Sequence, residues 1–204
     1  MKNKWSKLAN EESLEKTRDS LEKNGFKVYI TNNKKEALNK FLEIVPKGIE
    51  IMNNSSVTLD EIGISKEVME TKNYDAVKKK ITSVNQKEMR DLMRKQATIA
   101  EYAIGSVHAI TENGEILIAS NSGSQLPGYA FSASKVIFFV GTQKIVKNID
   151  EAFKRIKEYS LPLESERLKK IYGIPSNVSK VLIINKEINP ERISVIFVKE
   201  TLGF

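Results

Sequence analysis

Residues 105–125 and 135–144 decide the fold of this chain, and they read GSVHAITENGEILIASNSGSQ and KVIFFVGTQK. The second stretch contains an unbroken apolar run, which is typical of a strand covered on both faces of a parallel sheet. In the first stretch, two apolar runs flank an Asn-Gly pair, which is a strong β-hairpin signal. Small polar residues follow the apolar runs, and open α/β sheets bind ligands at such strand ends. The sequence therefore predicts an α/β domain with a small-molecule site.

Helical and strand patterns alternate along the rest of the chain. Apolar spacing predicts a helix over residues 5–24 in the N-terminal segment 1–25, and Asn33 with Glu36 has the form of a capping box. Strands are predicted from the short apolar runs at 26–30, 49–52, 181–184 and 193–198. This alternation predicts a three-layer α/β/α fold with an open, mostly parallel sheet, which the hairpin makes mixed. We expect one domain over residues 1–204, with a helical excursion from the sheet over residues 66–101.

The composition is that of a soluble globular protein, because 40% of the 204 residues are hydrophobic and 29% are charged. No apolar run approaches the ~20 residues that a bilayer crossing needs, so we expect no membrane span. The polar residues 10–13 stand where a signal peptide would be apolar. We therefore expect a cytoplasmic protein.

Cysteine is absent, and His108 is the only histidine. Without cysteine the chain can form no disulfide, iron–sulfur ligation or thiolate nucleophile. A metal site would have to combine His108 with carboxylates, and only Glu112 stands near it at helical spacing. We expect neither a metal nor an iron–sulfur cluster on this chain, and any other cofactor is unknown.

The formal net charge is +7, and part of the excess lies in residues 72–95, where eight basic residues accompany three acidic ones. Such a stretch can bind phosphate or nucleic acid. It can equally be the solvated face of a helix. Because Tyr74 is the only aromatic residue in this stretch, base stacking has little support, and we expect no nucleic-acid partner.

Hydroxyl groups cluster in residues 53–58, between a predicted strand and a predicted helix. Ser55, Ser56 and Thr58 are candidate ligands for a carboxylate or phosphate, because free backbone N–H groups at a helix start attract anions. The alternative is that Thr58, with Glu61 three residues later, caps its helix and that the serines fill a turn.

Small polar residues also follow the second strand of the hairpin. The candidate ligand-binding residues there are Ser120, Asn121, Ser122, Gly123, Ser124 and Gln125. Gly123 permits a positive φ or a close ligand approach. The segment has neither the spacing nor the lysine of a phosphate-binding P-loop. The alternative to a ligand loop is a flexible loop.

Two residues of the hairpin are candidate catalytic residues. The imidazole of His108 titrates in the range that suits acid–base work, although a lone strand histidine can also be a hydrogen-bonded structural residue. Glu112 can be a general base, a nucleophile or a turn residue. The sequence does not choose among these roles.

Gly141 and Lys144 follow the buried strand and are candidate ligand-binding residues. An ammonium group at a strand end can meet an anionic ligand, and the alternative is a solvated lysine. Glu164 and Arg167, three residues apart, would share a helix face and form an ion pair, for which we expect a structural role.

Several separate segments, in the same order, resemble the lactate-utilisation (LUD) domain family. These segments are residues 105–114, 118–125, 140–146, 150–155, 161–164, 166–167 and 198–203. The resemblance runs from about residue 10 to the end and is least distinct over residues 66–100. It implies a fold similar to that of sugar-phosphate isomerases, CoA-transferases and formyltetrahydrofolate cyclo-ligases, in agreement with the pattern above.

The resemblance also implies a role in oxidising L-lactate to pyruvate, together with partner subunits that carry iron–sulfur clusters. This chain, without cysteine, resembles the compact, cluster-free type. The leading hypothesis is a protein that binds a small anionic metabolite in a pocket made of the polar loops. The alternatives are a non-catalytic accessory subunit that docks iron–sulfur partners, and an enzyme that uses Glu112 covalently, as some CoA-transferases use a glutamate. Whether the chain is catalytic, and whether it forms a homo-oligomer, stays open.

Overall fold

The computed structural model describes residues 3–83 and 100–204, together with Asn85, Glu88, Asp91 and Lys95. The strands are β1 (Lys27–Thr31), β2 (Glu50–Asn53), β3 (Asp75–Ala76), β4 (Tyr102–Gly105), β5 (Ala109–Thr111), β6 (Ile116–Ser120), β7 (Lys135–Gly141), β8 (Ile145–Val146), β9 (Lys180–Ile184) and β10 (Ile193–Val198). The α-helices are α1 (Glu11–Lys23), α2 (Lys34–Ile44), α3 (Val57–Ile62), α4 (Ile64–Glu70), α5 (Val77–Thr82), α6 (Ile149–Arg155) and α7 (Leu161–Tyr172). A π-helical turn, Ile156–Ser160, joins α6 to α7.

A six-stranded parallel sheet in the order β1-β10-β7-β4-β2-β3 forms the centre of the fold. This sheet, with helices against it, confirms the predicted α/β fold class. Strand β7 is buried on both faces: Val136, Phe138 and Val140 join one hydrophobic cluster, and Ile137 and Phe139 join the other. Because successive residues of a strand point to opposite faces, a strand covered on both faces needs an apolar residue at every position.

The two faces of the central sheet are covered differently. Helices α2, α3 and α4 cover one face through Phe41, Leu59 and Ile64. On the other face, Leu14 and Leu21 of α1 pack in a cluster that also holds residues of the hairpin. The layer over that face is therefore part helix and part sheet.

The predicted hairpin is confirmed, since β5 and β6 are antiparallel and Gly114 has a φ of 86°. Its predicted place in the central sheet is wrong. The hairpin belongs to a second, four-stranded sheet in the order β8-β5-β6-β9. The central sheet cannot accept it next to β4, because β4 already pairs with β2 on one side and with β7 on the other. The second sheet packs Ile110 and Ile118 towards the central sheet, and Leu117 in a cluster with Ala152 of α6.

Side-chain caps set the starts of several helices. The predicted helix start at Asn33 is confirmed, because Glu36 N donates to Asn33 Oδ1 at 3.0 Å. The Glu36 carboxylate accepts from Asn32 N at 2.8 Å, one residue before the N-cap, and not from Asn33 N as in a regular capping box. The predicted N-terminal helix begins later than expected, at Glu11, because the Asn10 side chain accepts from Ser13 N at 2.8 Å and caps it there. Among the helices that the structure describes, none is long and apolar enough to span a bilayer.

The predicted helical excursion over residues 66–101 needs correction. Helix α4 ends at Glu70, and β3 then pairs with β2 as an edge strand of the central sheet before α5 begins. The chain returns to the sheet because Ala76 and Val77 are buried there. Most of the predicted helix over residues 84–99, and much of the basic stretch 72–95, lies outside the described residues.

Candidate functional site

A cleft opens where neighbouring strands of the central sheet end. Residues 54–58 follow β2, residues 106–108 follow β4, and Lys144 follows β7; these strands are adjacent and parallel. Their carboxyl ends therefore meet at one edge, where α/β folds bind ligands. The volume of the cleft is about 170 Å³. Because pockets for drug-sized ligands measure roughly 300–1,000 Å³, this cleft suits a small metabolite.

The second sheet and α7 complete the wall of the cleft. The predicted site residues that line it are Ser55, Ser56, Thr58, His108, Ser120, Asn121, Gln125 and Lys144. The predicted site residues that do not line it are Glu112, Ser122, Gly123, Ser124 and Gly141. Lining residues that sequence reasoning did not propose as ligands include Asn54, Ser106, Tyr129, Ser160, Glu164 and Arg167.

Lys144 is a buried cation of the cleft, with 2% of its surface exposed. Its Nζ donates to Thr58 Oγ1 and to Ser106 Oγ, at 3.0 Å in each case. Among the described residues it forms no ion pair with a carboxylate. Burial, followed by the charge of Arg155, holds the pKa of Lys144 well below its usual value, although Glu61 opposes this shift. An arriving anion would stabilise the charged form of this amine.

The alternative role that we considered for Thr58, as the cap of its helix, is wrong. Helix α3 begins at Val57 with Ser56 as the N-cap residue, and no side chain caps it. Thr58 is buried instead, and its hydroxyl accepts from Lys144 and donates to Leu202 O at 3.3 Å. The hydroxyl of Thr58 thus holds the lysine rather than the helix start.

His108 contributes a neutral ring to the cleft. Its Nδ1 accepts a hydrogen bond from Ala119 N at 3.1 Å, which leaves the proton of the neutral imidazole on Nε2. Burial lowers the pKa of His108 to about 3, and the charges of Lys144 and Arg155 add to this effect. Within the described part of the chain, Nε2 has no hydrogen-bond partner. It is also not one of the fully buried side-chain N and O atoms that lack a partner. His108 is therefore suited to donate a hydrogen bond to a ligand at neutral pH.

Arg155 is a second buried cation, and sequence reasoning missed it. Its Nη1 donates to His108 O at 2.5 Å and to Ser160 Oγ at 3.1 Å, and its Nη2 donates to Trp5 O at 3.4 Å. Burial lowers its pKa to about 10. Arg155 fixes the backbone of His108 and adds positive charge behind the cleft. A basic residue on the buried face of an amphipathic helix was the sequence signal that could have identified it.

The loop after β6 is tied back by Ser120. The Oγ of Ser120 donates to Gln125 Oε1 at 3.0 Å and accepts from Gly123 N at 2.8 Å. Gly123 adopts the predicted positive φ, at 86°. The tip of the loop turns away from the cleft, where Ser122 and Ser124 bond to each other at 3.1 Å. The two ends of the loop, and not its tip, can reach a ligand.

Glu112 and Gly141 have other partners. Glu112 Oε2 pairs with Lys16 Nζ at 2.9 Å, Oε1 accepts from Ser13 Oγ at 2.8 Å, and the hydrogen bond from Lys16 is the largest cause of its lowered pKa. The carboxylate therefore ties the hairpin to α1. At Gly141, a Cβ atom would lie 2.2 Å from Gln143 Oε1. The lack of a side chain at this position therefore lets the Gln143 side chain pack closely against the backbone.

Three charged residues at or beside the cleft were not predicted as ligands: Glu164 and Arg167 line it, and Lys78 adjoins it through Ser55. Arg167 pairs with Glu164 through two hydrogen bonds of 2.7 Å, which confirms the predicted ion pair. Both side chains line the cleft, so they can contact a ligand in addition to the structural role that we expected. Lys78 donates to Ser55 Oγ at 2.9 Å, and burial, together with the charge of Arg167, lowers its pKa.

The arrangement presents hydroxyl, amide, imidazole and ammonium donors to one space. Such donors can bind a carboxylate or another small anion. Among the described residues, no cluster of three or more histidine, aspartate or glutamate side chains could hold a metal ion.

The LUD domain family model matches residues 14–198. A crystal structure of a DUF162 family protein from Deinococcus radiodurans is similar in fold, with a TM-score of 0.58 and 11% identity over 94% of this chain and 99% of that one. The crystal structure of eIF2B beta from Chaetomium thermophilum matches with a TM-score of 0.34 and 12% identity, over 69% of this chain and 45% of that one. No curated protein matches the sequence.

Proposed function

Because this chain belongs to the LUD domain family, we propose that it binds a small carboxylate of the 2-hydroxy or 2-oxo acid class, with lactate and pyruvate as the leading members. Membership places the protein, at the level of the family, among lactate-utilisation proteins. The ligand would occupy the cleft at the ends of β2, β4 and β7.

One observation carries this proposal: the amine of Lys144 is buried in the wall of the cleft and, among the described residues, bonds to hydroxyl groups alone. A buried charge is costly unless an opposite charge accompanies it. A carboxylate in the cleft would supply that opposite charge. The hydroxyls of Thr58 and Ser106 orient the amine, and the Nε2 proton of His108 can donate to the hydroxyl or keto oxygen of the acid.

Removal of two electrons from a 2-hydroxy acid requires an electron acceptor. The side chains of this sequence include no cysteine to ligate an iron–sulfur cluster. The proposal is therefore limited to ligand binding, and a partner or a bound cofactor would complete any oxidation. Glu112 is not part of the proposed site, because it lies outside the cleft and is held by Lys16.

Isothermal titration calorimetry with L-lactate and pyruvate tests the proposal. We expect saturable binding to the wild-type protein and at least a tenfold loss, about the value of one charge-assisted hydrogen bond, in Lys144→Met. Lys66→Met is the matched control, because Lys66 is exposed on α4 and does not line the cleft. Equal affinities in wild type and Lys144→Met, or no binding of either acid to folded wild-type protein, would overturn it.

A further inference from the structure

Lys144, in the wall of the cleft, and Lys78, which adjoins the cleft through the lining residue Ser55, are held in the same manner. Lys78 Nζ donates to Ser55 Oγ at 2.9 Å, as Lys144 Nζ donates to Thr58 Oγ1 at 3.0 Å. Within the described part of the chain, neither lysine forms an ion pair with a carboxylate. Ser55 and Thr58 are three residues apart in the segment after β2, so two amines held by hydroxyls lie against one short segment.

The two lysines differ in depth. Lys144 is buried, and its partner Thr58 is buried with it. Lys78 is only half-buried, and its partner Ser55 is exposed. Lys144 therefore marks an inner position of the cleft, and Lys78, bonded to the lining residue Ser55, marks an outer position at the rim near solvent.

Arg167 belongs to the outer position. It lines the same cleft as Ser55, the hydroxyl partner of Lys78. Burial is the main cause of the lowered pKa of Lys78, and the positive charge of Arg167 adds to it. Glu164 accepts from Nε and Nη2 of Arg167, which fixes the plane of the guanidinium. A guanidinium has five N–H donors. The donors of Nη1 have no hydrogen-bond partner among the described residues and stay available to a ligand.

Two carboxylates near this outer position offset part of its positive charge, but neither forms an ion pair with Lys78. Asp60 attracts both Lys78 and Arg167, and Glu164 pairs with Arg167. Neither carboxylate contacts Lys78, which bonds to a hydroxyl instead. The outer position thus keeps an amine and guanidinium donors from two different helices, α5 and α7, for one ligand group.

We propose that the cleft takes a small metabolite with two anionic groups, one bound at Lys144 and the other, a carboxylate or a phosphate, bound between Lys78 and Arg167. This inference rests on the proposed function, because it assigns the inner group to the same lysine. It adds the class of ligand: a short acid that carries a second charge at its far end.

Calorimetry with matched ligand pairs tests the second charge. Succinate and monomethyl succinate have similar length and differ by one carboxylate, and phosphoglycolate and glycolate differ by one phosphate. We expect the doubly charged member of at least one pair to bind about ten- to a hundredfold more tightly to the wild-type protein. The pair with the larger ratio identifies the outer group as a carboxylate or a phosphate.

Lys78→Met locates the effect. We expect this variant to bring the affinity for the doubly charged ligand down to that for its singly charged partner, with no change for the singly charged one. Lys79→Met is the control, because Lys79 is exposed on the same helix and donates to Thr71 O. Equal ratios in wild type and Lys78→Met, or no preference for the second charge in wild type, overturn the inference. If L-lactate still binds, the proposed function survives that result; if no acid binds, both fail.

Discussion

Lys144 Nζ donates a hydrogen bond to Thr58 Oγ1 at 3.0 Å, although 86 positions of the sequence separate the two residues. The bond joins the end of β7 to the segment after β2, across the end of β4, which lies between them in the sheet. It places a buried amine where three parallel strands end. A charge in that position is expensive for the fold, and this cost underlies the first predictions.

Lys144→Met should weaken anion binding at least tenfold without destabilising the protein. Methionine fills a similar volume, and the variant no longer has to bury an amine that lacks a carboxylate partner. We expect the free energy of unfolding at pH 7, measured by urea denaturation, to be unchanged or higher by about 1 kcal/mol. A decrease of more than about 2 kcal/mol, as for ordinary core residues, would show that the lysine stabilises the fold.

The difference in the free energy of unfolding between Lys144→Met and the wild-type protein should depend on pH. In the unfolded chain this lysine has its usual pKa of 10.5, and in the folded protein its pKa is well below that value. Between the two values the unfolded state binds more protons, so wild-type stability rises with pH relative to the variant. Denaturation curves of both proteins between pH 7 and pH 10 should therefore converge as the pH approaches 10.5.

Ligand binding should be coupled to proton uptake at Lys144. A bound carboxylate favours the charged amine and raises the pKa that burial has lowered. The affinity should therefore fall as the pH rises above the pKa of the free protein. Calorimetry in two buffers with different ionisation enthalpies measures the protons taken up. The same heat of binding in both buffers would contradict this prediction.

The wild-type protein should lose stability at acid pH because of His108, and His108→Asn should remove this loss. The pKa of His108 is about 3 in the folded protein and 6.5 in the unfolded chain. Below pH 6.5 the unfolded state binds the proton first, so wild-type stability falls by up to about 1.4 kcal/mol per pH unit until about pH 3.

Asparagine is the matched replacement for His108, because its Oδ1 can still accept the hydrogen bond from Ala119 N. Urea denaturation of both proteins at several pH values between 4 and 7 measures the difference. Parallel stability curves for wild type and variant would mean that His108 charges freely in the folded state.

Glu112→Gln should leave ligand binding intact. The carboxylate pairs with Lys16, whose side chain is 58% exposed, so its loss should lower the free energy of unfolding by less than about 1 kcal/mol. Calorimetry with the acid that binds best to wild type is the measurement. A large loss of affinity, or an acyl adduct on Glu112 found by mass spectrometry, would instead support the covalent role of this residue.

Gly105→Ala should destabilise the protein through a steric clash. A Cβ atom at this position would lie 1.8 Å from the hydroxyl oxygen of Tyr129, a buried residue. We expect a loss of about 1–3 kcal/mol, as for other overpacked cores. Gly173→Ala is the comparison, because a Cβ atom there meets nothing and only its φ of 74° is unfavourable. Equal losses in the two variants would argue against the clash.

Local patterns in the sequence were enough to identify most elements of the fold. The continuous apolar run of β7, the Asn113-Gly114 turn and the Asn33 cap of α2 all formed as predicted. Each of these signals depends on neighbours within a few residues, and such short-range preferences are present in the sequence itself. Strand ends rich in small polar residues likewise indicated the side of the sheet where the cleft lies.

Which residues form the site depended on the tertiary structure. Strand order decided that the ends of β2, β4 and β7 meet, and it moved the hairpin into a second sheet because both sides of β4 were already paired. In that sheet His108 lines the cleft, whereas Glu112, four residues later, meets Lys16.

The sequence by itself determined most of the elements, the Asn33 cap of α2 and the family of this protein. Only the tertiary structure decided that Lys144 is buried between two hydroxyls, that Arg155 lies behind it, and that Lys78 bonds to Ser55 at the rim of the cleft that Arg167 lines. The physical reason is that a side chain's burial and charged neighbours come from segments distant in the chain. These contacts exist only after the strands have paired, and no local pattern encodes them.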